Sequence, residues 1–297
     1  MTATNSTLFS WNDLDALPDM RRLELVLKYL PDQAIIKSLL ENRGRGRNEY
    51  PIEAMWNALL AGIVFQHASI ESLVRELGRN PALLNLCGFN PLPRQGKPIT
   101  TLRRNEPSGK MEAVSTPKPE QDSIPNCWNF YRFLGNVIAL EEQQDLISGM
   151  MKTLREQLME ALPEFGKHLG YDGKAIESHS TGQVNRESGT TSDPDADWGK
   201  HETRGVNHKT GKEWAKIKSW FGYGLHLIAD TQYEIPVAFR LTSASRGETP
   251  ELKSLLNTLF NETPELAERC QDFSADRGLD SGDLKATLWD EYRIRPL

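Results

Sequence analysis

Apolar residues recur at helical spacing through "MRRLELVLKYLPDQAIIKSLL" (Met20 to Leu40), and Pro31 interrupts them, so the segment predicts two short helices. After the loop "ENRGRGRNEY", the stretch "PIEAMWNALLAGIVFQHASIESLVRELGRNPALLNLCGF" predicts three more. Pro51 and Pro81 suit helix starts, and Ser69 opens a first turn with an acidic residue. The span 91–125 holds seven prolines, too many for a helix or a central strand, and reads as a linker or long exposed loop. Helical periodicity returns from Asn126 to Leu162, with Trp128, Tyr131 and Phe133 near its start, and predicts two helices.

Beyond Pro163 the period changes to that of strands. "KHLGYDGKAIES" reads as one strand, and "SWFGYGLHLIADT" and "EIPVAFRLTSAS" read as a hairpin turning at "DTQYE". "TPELKSLLNTLFNE" is a helix capped by Thr249, with Leu252, Leu255, Leu256 and Leu259 on one face. "CQDFSADRG" is a short strand ending at Asp276, "LDSGDLKATLWDEY" is helical, and "RIRPL" begins another strand. A helical crossover from the hairpin would return the chain parallel to the first strand, on its free side. Asp172 and Asp276 would then lie on neighbouring strands. The predicted organisation is an all-α domain over 1–90, a Pro-rich linker over 91–125, connecting helices over 126–162 and an α/β domain over 163–297.

With 297 residues, 38% hydrophobic, the chain is long enough for one large domain or two ordinary ones. The longest apolar runs, such as Ala58 to Phe65, are far short of the roughly 20 residues that span a bilayer. No membrane span and no secretory signal are predicted, and the protein is expected to stay in the cytoplasm. Cys87, Cys127 and Cys270 form no CxxC pair and read as reduced small hydrophobes. The formal net charge of -6 disfavours nonspecific nucleic-acid binding. That sum hides an asymmetry: Glu251 to Glu291 holds ten acids and four bases, which leaves the rest near neutral with basic islands.

Two aspartates at neighbouring strand ends repel each other as ions, so a cation is needed to neutralise them. Oxygen ligands favour Mg²⁺ or Mn²⁺, and a pair of such ions suits in-line phosphoryl transfer. The segments "GYDGKAIES", "GYGLHLIADTQYEIPVAFRLTSASRGETPEL" and "SADRGLDS", together with the helical "RNEYPIEAMWNALLAGIVFQHASIESLVRELGRNPALLNLCGF", resemble the DDE-type transposases of bacterial insertion sequences. The resemblance implies an RNase H-like mixed sheet with flanking helices after an all-α DNA-binding domain. It implies Asp172 and Asp276 as catalytic, metal-holding aspartates using Mg²⁺ or Mn²⁺. It further implies cleavage and strand transfer at the terminal inverted repeats of a transposon. Such families place a third acid, a glutamate, on a helix beyond a further strand. Asp290 and Glu291 come too early for that role, so the chain reads as C-terminally shortened, with weak or absent cleavage by itself. The rival reading is a noncatalytic DNA-binding or partner-binding fragment, pairing with itself or with a full-length transposase.

Between Gly199 and Lys218 stand Lys200, Arg204, Lys209, Lys212, Lys216 and Lys218 against two acids, interleaved with His201, His208 and Trp214 and flanked by Trp198 and Trp220. Such a stretch is either a DNA-contacting segment, with cations on phosphates and indoles on bases, or a solvated loop with core tryptophans at its margins. Lys174 and Arg277, next to the two aspartates, could meet phosphates or simply be exposed. In the helical half, Arg43, Arg45, Arg47, Arg75 and Arg79 would serve a helix-turn-helix reader, but Met1 to Tyr50 balances seven bases with seven acids. The histidines at 67, 168, 179, 201, 208 and 226 show no zinc spacing, and "PSGKM" lacks the upstream glycine of a phosphate loop. Ser178, His179 and Ser180 point alternately to opposite faces of a strand and make no hydrolase triad.

Overall fold

The computed structural model describes residues 18–44, 50–90, 99–104, 111–116, 124–184, 190–206, 210–211, 213–276 and 281–297. The chain forms two compact units, Met1–Met150 and Met151–Leu297. The first is built on helices α1 (Asp19–Tyr29), α2 (Gln33–Arg43), α3 (Ile52–Val64), α4 (Ile70–Arg79), α5 (Pro81–Cys87) and α6 (Cys127–Gln144). α1 and α2 break at Pro31 as the sequence predicts. Ser69 caps α4 by accepting the Ser72 N–H at 3.3 Å, and Asn126 and Asn129 cap α6 reciprocally, both at 3.0 Å. α5 begins on Pro81 and ends at Gly88, whose φ of 97° is the left-handed conformation that glycine adopts without cost. The apolar faces meet around Leu23, Ile35, Leu39, Trp56, Leu73, Leu77, Leu83, Phe130 and Phe133. Trp56 donates its indole N–H to the buried carboxylate of Asp32 at 2.7 Å, which pairs both polar groups inside this core.

Within the span read as a structureless linker lies an antiparallel pair, β1 (Ile99–Arg104) with β2 (Met111–Thr116). All seven prolines fall outside these strands, at 91, 93, 98, 107, 117, 119 and 125. A two-stranded ribbon has only edges, which is where the proline objection to strands does not apply.

α7 (Leu146–Ala161) leads into the second unit, a mixed sheet of β3 (His168–Glu177), β4 (Asp197–Val206), β5 (Glu213–Asp230), β6 (Ile235–Ser243), β7 (Asp272–Ser274) and β8 (Arg295–Pro296). β3 pairs antiparallel with β5 and parallel with β7, β6 pairs with the far side of β5, and β8 extends the sheet parallel to β7. The crossover from β6 to β7 runs through α8 (Glu248–Glu262) and α9 (Pro264–Arg269), and that from β7 to β8 through α10 (Gly282–Ala286) and a π-helical turn, Thr287–Glu291. The molecule is therefore mixed α/β, a helical region followed by a mixed sheet, as expected. α8 starts one residue before Thr249, after Gly247, and no side chain caps it.

Helices cover one face of this sheet. Leu252, Leu255, Leu256 and Leu259 of α8 are at most 4% exposed and pack with Leu169, Tyr171, Ile228, Ala238 and Phe273. At roughly 1.5–3 kcal/mol for each fully buried large side chain, this layer is the main support of the unit. α7 joins it through Arg155, which is buried and donates to Val237 O (3.3 Å), Thr263 Oγ1 (3.3 Å) and Glu262 Oε2 (2.9 Å).

Candidate catalytic face and nucleic-acid arm

Strand alternation sends successive side chains to opposite faces. On β3, Leu169 and Tyr171 are buried in the helix-covered core, and Asp172 is exposed on the other face. Asp172 stands in register with Leu227 of β5, and Leu227 with Phe239 of β6. Lys174, Leu225 and Leu241 form the next such row; Phe239 and Leu241 are about half exposed (49% and 53%). The same face carries a cross-strand ion ladder lower down. His168 Nδ1 lies 3.0 Å from Asp272 Oδ1, and Arg295 donates to Asp272 Oδ2 at 3.0 Å, all three in register. Burial pushes the Asp272 carboxyl up, but the hydrogen bonds and charges of His168 and Arg295 outweigh it and hold the group below the ordinary carboxylate range.

The parallel register decides how Asp276 relates to Asp172. His168 pairs with Asp272 and Gly170 with Ser274, a constant offset of 104 residues, and 276 minus 172 is also 104. The ladder ends at Ser274, so Asp276 lies two residues beyond β7 and not on the strand end as expected. Phe273 and Ala275 pack into the core, which leaves Ser274 to the open side, and Asp276 is exposed. Gly170 separates the ion ladder from Asp172. A Cβ there would come within 2.8 Å of Thr231 Cγ2 and 3.0 Å of Ser274 Oγ, so the strands approach too closely for a larger residue. Among the described residues no group of three metal-ligating side chains assembles. The donors on offer, two carboxylates, are the hard oxygen ligands that Mg²⁺ or Mn²⁺ takes. Lys174 is exposed, and Arg277 lies outside the described residues.

The basic island is not a loop. Residues 197–206 and 213–222 pair as an antiparallel arm, because β5 continues well beyond its partners in the main sheet. At the root, Gly222 has a φ of 154°, and a Cβ there would lie 2.2 Å from Ile176 O, so only glycine fits where β5 passes from one set of partners to the other. Asp193 braces the root by accepting from Ser178 Oγ and from Tyr223 OH (2.6 Å). Those bonds lower the Asp193 carboxyl, and the one to Asp193 followed by burial pushes the Tyr223 phenol up to about 12. Ser178 is thus a structural hydroxyl.

Pleating divides the cations that the sequence groups together. Trp214, Lys216, Lys218 and Trp220 of β5 share a face with Gly205, Thr203, His201 and Gly199 of β4, their register partners in that order. Each indole lies across a glycine: a Cβ on Gly205 or on Gly199 would come within 2.5 Å of Trp214 or Trp220. Trp220 is anchored by donating to Tyr223 O at 3.0 Å, and Trp214 is 47% exposed. Lys200 belongs to the opposite face with Glu202, Ile217 and Glu213, where acids offset it. Lys209 and Lys212, with His208, lie outside the described residues, as does the Arg204 side chain. In the helical unit Arg75 and Arg79 are exposed on α4, Arg43 is half-buried, and Arg45 and Arg47 are outside the described residues, as is "PSGKM" short of Met111.

Other titratable groups are structural. His226 is buried between Tyr171 OH (2.7 Å) and Thr242 Oγ1 (3.0 Å), and burial lowers its pKa. Cys87 and Cys270 are free and buried, and burial pushes both thiols up to about 12. Sequence periodicity could not have found the buried Tyr171–His226–Thr242 chain, because its members come from β3, β5 and β6 and meet only through register.

Comparison with known families returns two matches. Residues 12–105 match a transposase domain (DUF772), and residues 165–294 match a transposase DDE domain. The chain belongs to the DDE-type transposases of insertion sequences, and its role lies in DNA transposition. The family works with divalent metal ions and binds DNA at transposon ends. No curated protein and no solved structure matches the chain. Among the described residues no helix is long and apolar enough to cross a membrane.

Proposed function

We propose that this chain contributes Asp172 and Asp276 as divalent-metal ligands for phosphodiester cleavage and strand transfer at transposon ends. The observation that supports the reading is the parallel pairing of β3 with β7 at an offset of 104 residues, the same separation as that of Asp172 and Asp276, with both residues exposed and Asp276 two residues past the last paired position. Bound there, Mg²⁺ or Mn²⁺ would activate a water or 3′-hydroxyl and stabilise the leaving oxygen. The residues of the chain hold the charge, keep the face open to a strand of DNA and present Lys174 beside it. The arm supplies affinity: Lys216, Lys218 and His201 meet phosphates, and the exposed Trp214 offers a stacking surface. Arg204, Lys209 and Lys212 are further DNA-binding candidates from the sequence, and Lys200 lies on the acid-offset face. The domain reading that accompanies this is a helical DNA-binding region over 1–90 and a catalytic region over 163–297.

Two carboxylates are fewer than this chemistry ordinarily uses, and no third ligand joins them among the described residues. That favours a second reading, in which the chain binds DNA ends but cleaves weakly by itself, and acts with a copy of itself or a longer transposase. One assay separates the two. End-containing DNA is incubated with the chain and Mg²⁺, with Mn²⁺, or with chelator. Divalent-dependent cleavage that falls to background in both Asp172→Ala and Asp276→Ala is the expected outcome of the first reading. Cleavage unaffected by either substitution removes both residues from the chemistry. DNA binding without cleavage leaves the second reading standing.

A further inference from the structure

Asp172 stands where β3 loses two supports at once. The backbone pairing of β3 with β7 ends at Gly170 with Ser274, two residues short of Asp172, which leaves β5 as the paired neighbour at Asp172 itself. The helix-covered side ends at the same place: Leu169 and Tyr171 are buried, Gly173 is half-buried and Ala175 is exposed. A strand with one paired neighbour twists more than one held on both sides. A metal ligand has to be held to within about 0.5 Å, so a further restraint is needed here.

That restraint is a chain of side-chain hydrogen bonds on the covered face, behind Asp172. Tyr171 and His226 are 6% and 2% exposed; the Tyr171 hydroxyl lies 2.7 Å from His226 Nδ1, and His226 Nε2 lies 3.0 Å from Thr242 Oγ1. Thr242 donates its one hydroxyl proton to Ser243 O at 3.2 Å. Its oxygen therefore accepts from His226, the ring carries its proton on Nε2, and Nδ1 accepts from the Tyr171 phenol. The chain runs in one direction from β3 across β5 to β6. Glu248, at the start of α8, lies over the next residue of the same face: a Cβ on Gly173 would come within 2.9 Å of its Oε1. A buried polar network with its donors and acceptors matched holds one arrangement of the strands that carry it.

Tyr171 and Asp172 are successive residues on opposite faces, so a rotation of β3 about its own axis moves both side chains together. Fixing the tip of one fixes the aim of the other. We infer that Tyr171, His226 and Thr242 are positioning residues for Asp172: they lock the twist of β3 from behind and keep the carboxylate aimed at the metal. The inference rests on the function proposed above, and it assigns part of the metal affinity to a hydroxyl on β6, two strands away from the carboxylate.

The test titrates the full chain with Mn²⁺ and reads the free ion by electron paramagnetic resonance, which needs neither DNA nor turnover. Asp172→Ala defines the component of binding that belongs to the site. Tyr171→Phe is expected to weaken that component about threefold to tenfold, less than the loss of a partner bonded directly to a ligand. Thr242→Val weakens it about twofold to threefold by the same route, and Thr242→Ser, which keeps the hydroxyl, restores the parent affinity. Leu266→Ala, which opens the same core at α9, lowers the urea midpoint and leaves Mn²⁺ affinity unchanged.

Parent affinity in both Tyr171→Phe and Thr242→Val, alongside weakened binding in Asp172→Ala, overturns the positioning role and leaves the metal site standing. Equal weakening in Thr242→Ser and Thr242→Val, or in Leu266→Ala, traces the effect to general loosening and also overturns it. Where Tyr171→Phe fails to fold, the two Thr242 variants decide. Parent affinity in Asp172→Ala overturns the metal site itself, and the positioning role with it.

Discussion

Two aspartates on opposite faces of one sheet show how differently the molecule treats the same side chain. Asp230, on the helix-covered face, has no exposed surface and accepts backbone N–H groups from Gly166 (2.7 Å), Gln232 (3.0 Å) and Tyr233 (2.7 Å). It ends β5, shapes the turn into β6 and ties the segment before β3 to both. Asp172, on the neighbouring strand β3, is exposed, and no comparable set of donors closes around it among the described residues. A carboxylate buried with its hydrogen bonds satisfied is a structural part, and one held out on an open face keeps its oxygens for a ligand. On the function proposed above, the covered face serves stability and the open face chemistry.

Substitutions at the two positions should separate in opposite directions. Asp230→Ala strands buried N–H groups and is expected to cost about 3 kcal/mol of stability or more, read as a lowered midpoint in urea unfolding. Asp172→Ala should change stability by no more than about 0.5 kcal/mol while removing divalent-dependent cleavage. Equal destabilisation by both would erase the distinction between the faces. Arg155→Ala breaks a buried ion pair and its bond to β6, and should cost about 3 kcal/mol, with Arg155→Met recovering part of that stability in the same unfolding measurement.

A smaller effect should distinguish the faces of the β4–β5 arm. Lys216→Ala/Lys218→Ala should lower the salt slope of DNA binding by about two, one for each phosphate left without its lysine, whereas Lys200→Ala should lower it by much less. Equal slopes in the two variants would mean that pleating does not sort these cations.

The smallest effect concerns His226. Burial depresses its pKa; Glu251 and Glu248 at the start of α8 pull it up, and Arg240 pulls it down, with Tyr171 and Thr242 holding the ring nitrogens. With the folded value depressed, the unfolded chain takes up the proton first. The contribution is therefore complete above the ordinary imidazole value of about 6.5 and is lost as pH falls below it. Urea midpoints should decline on acidification through that range, and His226→Gln should flatten the decline.

Much of the architecture is legible along the chain. Pro31, Pro81, Ser69 and Gly88 mark helix boundaries through rules that act over a few residues, and the leucines of α8 declare their buried face by spacing alone. The strand order follows from the hairpin and crossover lengths, which put β3 beside β7, whereas the end of β7 two residues short of Asp276 depends on the pairing itself. Other features are illegible because they depend on partners far apart in sequence. β1 and β2 are hidden by prolines that flank the strands rather than interrupt them. The arm is hidden because its β4 half carries glycines at 199 and 205, which look like breaks until a tryptophan from β5 lies across each.

The chain itself determined its family, its change from helical to strand period near Pro163, and the acids and bases available to meet metal and DNA. Only tertiary structure decided which of those groups act together. It set the offset of 104 residues between β3 and β7, sorted Lys216 and Lys218 from Lys200, and joined Tyr171, His226 and Thr242 in one chain across three strands. The physical reason is that local rules fix which way a side chain points relative to its own element, while the neighbour across a sheet or between helices is fixed by packing and register over long range.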